Sequence, residues 1–416
     1  MPRTHSARRT SMVGTLAVAL VVVFAGATGA GTTTKKTPAP KGLPSFYAVP
    51  SSLAKAEPGE LLKSQKVEAP DSDGTVYRVM YASTSLEDDS PVAVTGLIVV
   101  PDGPAPDGGF PVVSWAHGTN GMADECAVSA DPDDLSELAN GLVDEGWLVV
   151  ASDYRGEGTP GLHPYIAGFA AARDSIDIVR AAQQLKAAHA STDYVVWGHS
   201  QGGHTAMFAH NIAADYAPEL TLDGVVAGAP PSQFNLIYTF LKTSPYKHYL
   251  LMAAGGLNAA YGDEAAPLDE VLTRDGIDLL PVLEGGCSGH IRDETVDVQI
   301  DDVLLADPFT VPAWGALLTQ NDPQSFDTAN DVPLLIIHGG EDEQIPTVSS
   351  VLLQDHLCGI GQALERWVYP GQSHAGVIGP SAPDMVQWIT QRFDGSGAPG
   401  SIAPVGQADV EVSGCP

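Results

Sequence analysis

The fold of this chain is decided by one short stretch, Gly198-His199-Ser200-Gln201-Gly202. The apolar run 194–197 precedes it and the helix-like run 204–209 follows it. Gly-x-Ser-x-Gly between a strand and a helix is typical of a strained turn that lifts a serine hydroxyl above a sheet, with glycines where the two elements cross closely. Because the chain contains 44 glycines, the pattern alone can arise by chance. The flanking strand and helix therefore carry the prediction that Ser200 is a nucleophile.

Apolar strands and helices alternate on both sides of this turn. Strands are predicted at 110–116, 147–152, 194–197, 222–228, 334–339 and 364–369, and helices at 133–145, 166–188, 347–357 and 384–393. Two further β-rich runs, 75–81 and 92–100, predict an antiparallel start to the sheet. Continuous apolar strands that alternate with helices predict a mostly parallel sheet with helices on both faces. Together with the serine turn, this pattern predicts the α/β-hydrolase fold.

The alternation stops between residues 231 and 330. This stretch contains helix-like pieces at 234–241, 249–257 and 268–272, has no strong strand and is too long for a loop, so an inserted helical cap is predicted. The predicted organisation is a signal peptide 1–30, a flexible leader 31–45, a first core part 46–230, the cap 231–330, a second core part 331–394 and a tail 395–416. The tail is rich in Gly and Pro, and we expect it to be disordered unless Cys415 ties it down.

The N-terminal segment predicts export from the cell. Arg3, Arg8 and Arg9 precede an apolar run, 12–25, and small residues follow up to residue 30. This order is typical of a secretory signal peptide, and the run is too short to favour a permanent membrane anchor. The paired arginines are compatible with twin-arginine export as well as with the general secretory route, so both routes stay open.

Composition excludes some partners and predicts disulfides. The chain has 51 acidic and 20 basic side chains, a formal net charge of −31, which repels nucleic acids and anionic headgroups. Four cysteines in an exported chain predict two disulfides, with the connectivity open. They are Cys126, Cys287, Cys358 and Cys415. None of their spacings is that of a zinc site, so we do not expect these cysteines to bind metal.

A serine hydroxyl needs a base within hydrogen-bond reach and an acid that orients the base. In α/β-hydrolases both follow the serine along the chain, the acid after a later strand and the histidine near the end. His374 lies in a turn-rich loop directly after the last predicted strand, so it is the predicted base for Ser200. His356 is less suitable because it lies within a predicted helix and would be turned away from the strand ends.

Asp342 is the predicted acid, because it lies in a short loop after the predicted strand 334–339. The residues that follow it lead into the next predicted helix. Glu341 and Glu343 flank Asp342 and are expected to be solvated neighbours. Asp223 is a weaker alternative because it precedes its strand.

The oxyanion of an acyl-transfer intermediate needs preorganised donors. The backbone N–H of Gln201 is one predicted donor, since it directly follows the nucleophile. The loop after the predicted strand 110–116 is expected to supply the second donor, from Thr119 or Asn120. His117 in the same loop is expected to shape it rather than to take part in the chemistry.

A metal site near the nucleophile is the main alternative use of the histidines there. His199, His204 and His210 surround Ser200. Their spacing does not place them on one helix face, and His199 belongs to the turn itself. We therefore expect no metal and no cofactor.

Several short motifs spread over the chain carry a family resemblance. They are Phe46-Tyr47, Pro58-Gly59, the run 114–119 leading to Cys126-Ala127, Asp153-Tyr154-Arg155-Gly156, the turn at Ser200, His338-Gly339 with Asp342 and Pro346, and Ser373-His374. With the long insertion and the cysteine placement, the chain resembles the secretory lipases related to Candida antarctica lipase A, found in fungi and actinobacteria. The loop at His117-Gly118 is similar to the bacterial, actinobacterial branch.

The resemblance implies a helical cap that shields the acyl site and forms an acyl-binding tunnel. It also implies the disulfide Cys126 to Cys287, which would tie the core to the cap, and the disulfide Cys358 to Cys415, which would pin the tail. Gln201 stands where the antarctica member has Gly.

These features predict a secreted serine carboxylic-ester hydrolase, specifically a triacylglycerol lipase, that uses Ser200, His374 and Asp342. Alternatives among enzymes are an esterase for short-chain, aryl or polymer esters and a peptidase on the same frame. A non-catalytic hydrolase-like binding protein is the alternative from another class, and the complete set of three residues disfavours it. The expected partners are a lipid or other ester substrate and, transiently, a lipid interface. No integral membrane anchor is expected, and the oligomeric state is left open.

Overall fold

A computed structural model describes residues 37–395, residue 404 and residues 409–415. The predicted signal peptide, residues 31–36 of the predicted leader and most of the predicted tail lie outside the described residues. The backbone N–H of Thr37 donates to Val49 O at 3.1 Å. The leader therefore contacts the body of the protein from residue 37 onward.

The described strands form one sheet. They are β1 (Leu61–Lys66), β2 (Gly74–Thr84), β3 (Pro91–Pro101), β4 (Phe110–Ala116), β5 (Leu148–Ser152), β6 (Ala190–His199), β7 (Thr221–Gly228), β8 (Leu334–Gly339), β9 (Leu364–Tyr369) and β10 (Glu411–Gly414). Their spatial order is β1-β2-β3-β5-β4-β6-β7-β8-β9-β10. Neighbours from β5 to β9 are parallel, whereas β1 to β3 and β10 run antiparallel to their neighbours. The mostly parallel sheet and its antiparallel start are thus confirmed.

Helices cover both faces of the sheet and form the insertion. The described α-helices are α1 (Ser136–Val143), α2 (Gly168–Gln184), α3 (Gln201–Tyr216), α4 (Phe234–Leu241), α5 (His248–Ala265), α6 (Arg274–Leu279), α7 (Ser288–Glu294), α8 (Ile300–Val303), α9 (Pro312–Gln320), α10 (Thr347–Gly359) and α11 (Ile378–Phe393). Among these described helices, none is both long and apolar enough to cross a membrane.

The two faces of the sheet carry separate apolar cores, because side chains alternate along a strand. On β4, Val112 belongs to the core that contains Ile176 of α2 and Phe208 of α3. Val113 belongs to the core that contains Leu142 of α1 and Trp388 of α11. Burial on both faces explains why the central strands are continuous apolar runs in the sequence.

Helix α2 is shorter at both ends than the predicted helix 166–188. Ile166 has a φ of +63°, which lies outside the right-handed helical region, and the helix begins only at Gly168. At the other end Leu185 is extended, with a ψ of 98°.

Two edge strands differ from the sequence prediction. β1 pairs antiparallel with β2 and was not predicted, because its residues lack an apolar alternation. β10 lies in the part of the tail expected to be disordered unless Cys415 ties it down, and it pairs antiparallel with β9. Cys415 directly follows β10 and forms a disulfide with Cys358, so the tie to Cys415 accounts for the order of this segment.

Helices α4 to α9 lie between β7 and β8, and all of them except α8 contribute to a third apolar core, which contains Phe234, Met252 and Trp314. Helix α5 changes direction at Gly262, whose φ is +78°. The predicted helical piece 268–272 is only a 3₁₀ turn, Leu268–Glu270. We keep residues 231–330 as the proposed extent of the cap.

Candidate active site

The turn at Ser200 joins β6 directly to α3. Ser200 has a φ of 60° and a ψ of −120°, a strained conformation for a residue with a side chain. A β-carbon on Gly198 would overlap the carbonyl of Gly202, and one on Gly202 would overlap the carbonyl of Ala116. The expectation that both positions require glycine is confirmed, and the close crossing of strand and helix is what presents Ser200.

Asp342 and His374 come together at the ends of β8 and β9. His374 Nδ1 lies 2.7 Å from Asp342 Oδ2. Asp342 Oδ1 accepts hydrogen bonds from the backbone N–H groups of Gln344, at 2.9 Å, and Ile345, at 2.7 Å. Because the carboxylate accepts the Nδ1 proton, Nε2 of His374 is left as the nitrogen that can take up a proton.

The Asp342 carboxylate is held in its ionised form. Burial raises the pKa of Asp342, but hydrogen bonds from His338 and His374 outweigh burial and keep the pKa well below its ordinary value. The neighbouring Glu343 accepts a hydrogen bond from the backbone N–H of His374 at 3.0 Å. The chain around His374 is therefore held by two adjacent acidic residues.

His199, the residue before Ser200, brings the serine turn next to His374. The centres of the two imidazole rings are 4.7 Å apart. Burial and the proximity of His374 lower the pKa of His199 to about 3. His199 is therefore a neutral ring that packs between the turn and His374.

The predicted oxyanion residues lie on two adjacent segments. Gln201 is the first residue of α3, and a β-carbon on Gly118 would lie 4.0 Å from Ser200 Cβ, so the loop after β4 adjoins the serine. Thr119 Oγ1 is 3.0 Å from Tyr165 Oη. Asn120 bonds to two other segments. Its Nδ2 donates to Cys126 O at 3.4 Å, and its backbone carbonyl accepts from Ser288 N of the cap at 2.7 Å.

The side chain of Gln201 belongs to a buried polar network that was not predicted from the sequence. Gln201 Nε2 donates to His163 Nε2 at 2.7 Å, and His163 Nδ1 donates to Arg155 O at 3.1 Å. Glu157 lies 3.9 Å from His163 Nε2 and 3.9 Å from His117 Nε2. Burial lowers the pKa of His163 to about 3 and that of His117 to about 4. The only signal in the sequence was the polar composition of the loop after β5.

Glu157 is fully buried, and neither carboxylate oxygen has a hydrogen-bond partner among the described residues. Burial and the proximity of Asp153 raise the pKa of Glu157 well above its ordinary 4.5. The folded chain thus holds a proton that the unfolded chain releases. The stability from this neutral acid is fully present below pH 4.5 and is lost as pH rises through the raised pKa.

We expect Glu157→Gln to stabilise the protein at pH above about 7, by about 1–3 kcal/mol, because the amide removes a buried ionisable group. Thermal unfolding should show a higher Tm for the variant at alkaline pH and a Tm equal to wild type near pH 4.5. Glu145→Gln, at an exposed position, is the control and should leave Tm unchanged at both pH values. A Tm difference that does not vary with pH would contradict the protonated state of Glu157.

Ser200 lines an apolar cavity between the sheet and the cap. Its walls include Tyr165, Phe234, Leu250 and Phe309. A second apolar cavity lies farther inside the cap and shares part of this wall. The shared residues are Leu250, Ala253, Phe309 and Leu318. An apolar chain extending from Ser200 would enter the first cavity and then meet this wall.

The cap contacts the loop that carries Asp342. Tyr246 Oη donates to Glu343 Oε1 at 3.3 Å, and Tyr249 Oη donates to Gln344 Oε1 at 3.1 Å. The next residue, Ile345, is buried in the apolar core of the cap. Movement of α5 would therefore be transmitted to the residues beside Asp342.

Two disulfides connect distant parts of the chain. Cys126 pairs with Cys287, 161 residues away, and joins the region after β4 to the segment before α7. Cys358 of α10 pairs with Cys415. Both pairs implied by the family resemblance are confirmed.

Comparisons with known proteins agree with this architecture. The family model described as secretory lipase matches residues 133–400, more than half of the chain. The secreted triacylglycerol lipase LIP4 of Malassezia globosa is 24% identical over 84% of this chain and 80% of its own length. A probable inactive lipase of Mycobacterium tuberculosis is also 24% identical, over 84% of this chain and 82% of its own length.

Solved structures show the same fold. Candida antarctica lipase A in its closed state superposes with a TM-score of 0.75 at 21% identity, over 88% of this chain and 89% of that one. The rice cell wall degrading esterase LipA from Xanthomonas oryzae superposes with a TM-score of 0.64 at 19% identity, over 82% of this chain and all of that one. The match to the family model, together with the α/β-hydrolase fold and the serine turn, shows that the chain belongs to the secretory lipase family.

Proposed function

We propose that this protein is a serine carboxylic-ester hydrolase whose nucleophile is Ser200, whose base is His374 and whose orienting acid is Asp342. The observation that carries the proposal is the 2.7 Å contact between His374 Nδ1 and Asp342 Oδ2 beside the strained serine turn. Nucleophile, acid and base in this chain order are the arrangement used for acyl transfer in α/β-hydrolases.

In the proposed reaction, Ser200 Oγ attacks the ester carbonyl carbon while His374 Nε2 accepts the hydroxyl proton. The carbonyl oxygen becomes an oxyanion, which the backbone N–H of Gln201 stabilises. Collapse of the tetrahedral intermediate breaks the bond to the alcohol, which leaves with the proton from His374. Water, deprotonated by His374, then attacks the acyl-serine and releases the carboxylic acid and free Ser200.

Thr119 is the better candidate for the second oxyanion donor. Its side chain contacts Tyr165, which lines the same cavity as Ser200. Asn120 instead has its side chain and carbonyl engaged with Cys126 and Ser288. We therefore propose that Thr119 completes the oxyanion hole with Gln201.

We propose that the substrate is a neutral ester with an apolar acyl chain, such as a triacylglycerol. The apolar walls of the cavity at Ser200 support an acyl chain, and the net charge of −31 disfavours anionic esters. Relatives whose names describe secreted triacylglycerol lipases support the same class. Together with the two disulfides, they support an extracellular location.

Labelling with a fluorophosphonate tests whether the site is catalytic. The reagent should attach once, at Ser200, and digestion followed by mass spectrometry should locate it there. This experiment also separates an active enzyme from a hydrolase-like binding protein, a distinction raised by the relative named as a probable inactive lipase. An unlabelled protein that is folded would contradict the proposed function.

We expect Ala253→Leu to shorten the preferred acyl chain. Ala253 lies in the wall between the two cavities, so a larger side chain narrows the path between them. Hydrolysis of long-chain p-nitrophenyl esters should fall about tenfold in kcat/KM relative to the acetate. The measurement is a series of acyl lengths, with and without an oil interface, which also distinguishes a lipase from a short-chain esterase.

The matched control is Ala254→Leu, which adds the same side-chain volume at a position that lines only the second of these two cavities. It should reduce hydrolysis of only those acyl chains that are long enough to pass the shared wall. An equal loss for acetate and for the longest ester in Ala253→Leu would mean that the acyl chain does not occupy this path.

A further inference from the structure

A second histidine contacts the proposed triad acid. His338, near the end of β8, is fully buried, and its Nε2 lies 3.2 Å from Asp342 Oδ2 and 3.0 Å from Ile345 O. A backbone carbonyl can only accept a hydrogen bond, so Nε2 of His338 carries a hydrogen. Asp342 Oδ2 lies within reach of the same N–H as a second, more distant acceptor.

The other ring nitrogen of His338 leads to a buried arginine. His338 Nδ1 lies 2.9 Å from Ser350 Oγ, and Arg366 Nε donates to the same oxygen at 2.8 Å. Ser350 is fully buried and Arg366 is nearly so. With Nε2 protonated, the neutral ring accepts the Ser350 hydroxyl proton at Nδ1. A hydrogen-bonded chain thus runs from Arg366 through Ser350 and His338 to Asp342.

This chain completes the coordination of the Asp342 carboxylate. Oδ1 accepts from two backbone N–H groups, and Oδ2 accepts from His374 and lies 3.2 Å from His338 Nε2. A carboxylate that accepts three hydrogen bonds and has a further N–H beside it is favoured in its ionised form and in one orientation. Ser350 Oγ also lies 3.0 Å from Thr347 O, which is a second acceptor for its hydroxyl proton.

We propose that His338 is a positioning residue of the active site, which with Ser350 and Arg366 holds Asp342 ionised and oriented and so determines the pH range in which His374 acts as a base. This inference rests on the proposed roles of Ser200, His374 and Asp342. It adds a second histidine that contacts Oδ2 of the proposed triad acid.

Other ionisable groups face the same residues. Asp342 is faced by His199 from the serine turn, by Glu343 from its own loop and by Tyr246 from the cap. Arg366 is faced by Asp355 of α10 and Glu411 of β10. Substitution of His338 leaves all these groups in place. It removes one donor from Asp342, and the carboxylate then attracts the proton on His374 more strongly.

The test is the pH dependence of kcat/KM for His338→Leu, measured between pH about 5 and 9 with a p-nitrophenyl ester. The acid limb of the profile should move upward by about one pH unit, because a hydrogen bond to a charged group is lost. We expect kcat to fall about tenfold and KM to change less than about twofold. The rate of fluorophosphonate labelling of Ser200 should show the same displacement along the pH axis.

Three further variants separate positioning from packing. His338→Gln can keep a side-chain N–H toward Asp342 and should return most of the acid limb to its wild-type position. Ser350→Ala breaks the link to Arg366 and should move the limb in the same direction as His338→Leu, by less. His210→Leu removes a buried histidine whose Nε2 donates to Val332 O at 3.0 Å, and it should not move the limb.

The proposal would be overturned if the acid limbs of His338→Leu and Ser350→Ala coincided with those of wild type and His210→Leu, whatever the change in kcat. If His338→Leu does not fold, Ser350→Ala alone decides by the same criterion. Absence of labelling and hydrolysis in the wild-type protein at every pH would instead refute the proposed function itself.

Discussion

Replacing Ser200 with Ala is expected to abolish ester hydrolysis, with a loss in kcat of about 10⁵–10⁶-fold. Ser200 is the proposed site of the covalent acyl intermediate, and alanine has no hydroxyl to form it. The measurement is turnover of a p-nitrophenyl ester at saturating substrate, together with fluorophosphonate labelling, which should disappear. Because alanine has the same β-carbon in the same strained turn, the fold and Tm should remain those of wild type.

Ser373→Ala is the matched control for Ser200→Ala. Ser373 is exposed and adjacent to the proposed base, and its Oγ accepts a hydrogen bond from Gly376 N at 3.1 Å. Its replacement should change kcat by less than about twofold. Undiminished turnover in a folded Ser200→Ala variant would sink the assignment of the nucleophile.

Asp342→Asn is expected to lower kcat by about 10⁴-fold while the protein stays folded. In the wild-type protein Asp342 Oδ2 accepts a hydrogen bond from His374 Nδ1 and lies 3.2 Å from His338 Nε2. An amide nitrogen at that position would turn a donor toward two other donors. His374 would then hold its proton on Nε2, where it cannot act as a base. Steady-state kinetics and thermal unfolding of the same preparation measure both parts of this expectation.

Glu341→Gln is the control for the acid, because Glu341 is an exposed neighbour in the same loop. We expect its kcat within about twofold of wild type. If Glu341→Gln were inactive and Asp342→Asn active, the proposed acid would be wrong. Equal and small effects of both substitutions would mean that the base is oriented without a carboxylate.

The loop of Asp342 joins three parts of the protein. Asp342 accepts a hydrogen bond from His374, the residues after it bond to Tyr246 and Tyr249 of the cap, and Ile345 is buried among cap residues. A change in the position of α5 would alter the contacts of residues that directly follow Asp342. Access to the apolar cavity and the orientation of His374 are therefore linked through one short loop.

The sequence by itself determined the fold class and the three proposed catalytic positions. The serine turn is a local feature, because glycines on both sides of Ser200 are needed where strand and helix cross. His374 and Asp342 followed from chain order, since parallel strands bring the loops after β8 and β9 to the same edge of the sheet. The central strands were visible as continuous apolar runs because their residues are buried on both faces of the sheet.

Only the tertiary structure decided the contacts that depend on packing between distant segments. The second donor to Asp342, His338, was visible as part of a motif, but its link to Ser350 and Arg366 requires α10 to pack against β8 and β9. The burial of Glu157 between His117 and His163 likewise depends on contact between the loops after β4 and β5. Such contacts follow from three-dimensional packing and leave no periodic pattern in the sequence, whereas a turn, an apolar strand and the order of loops along a parallel sheet do.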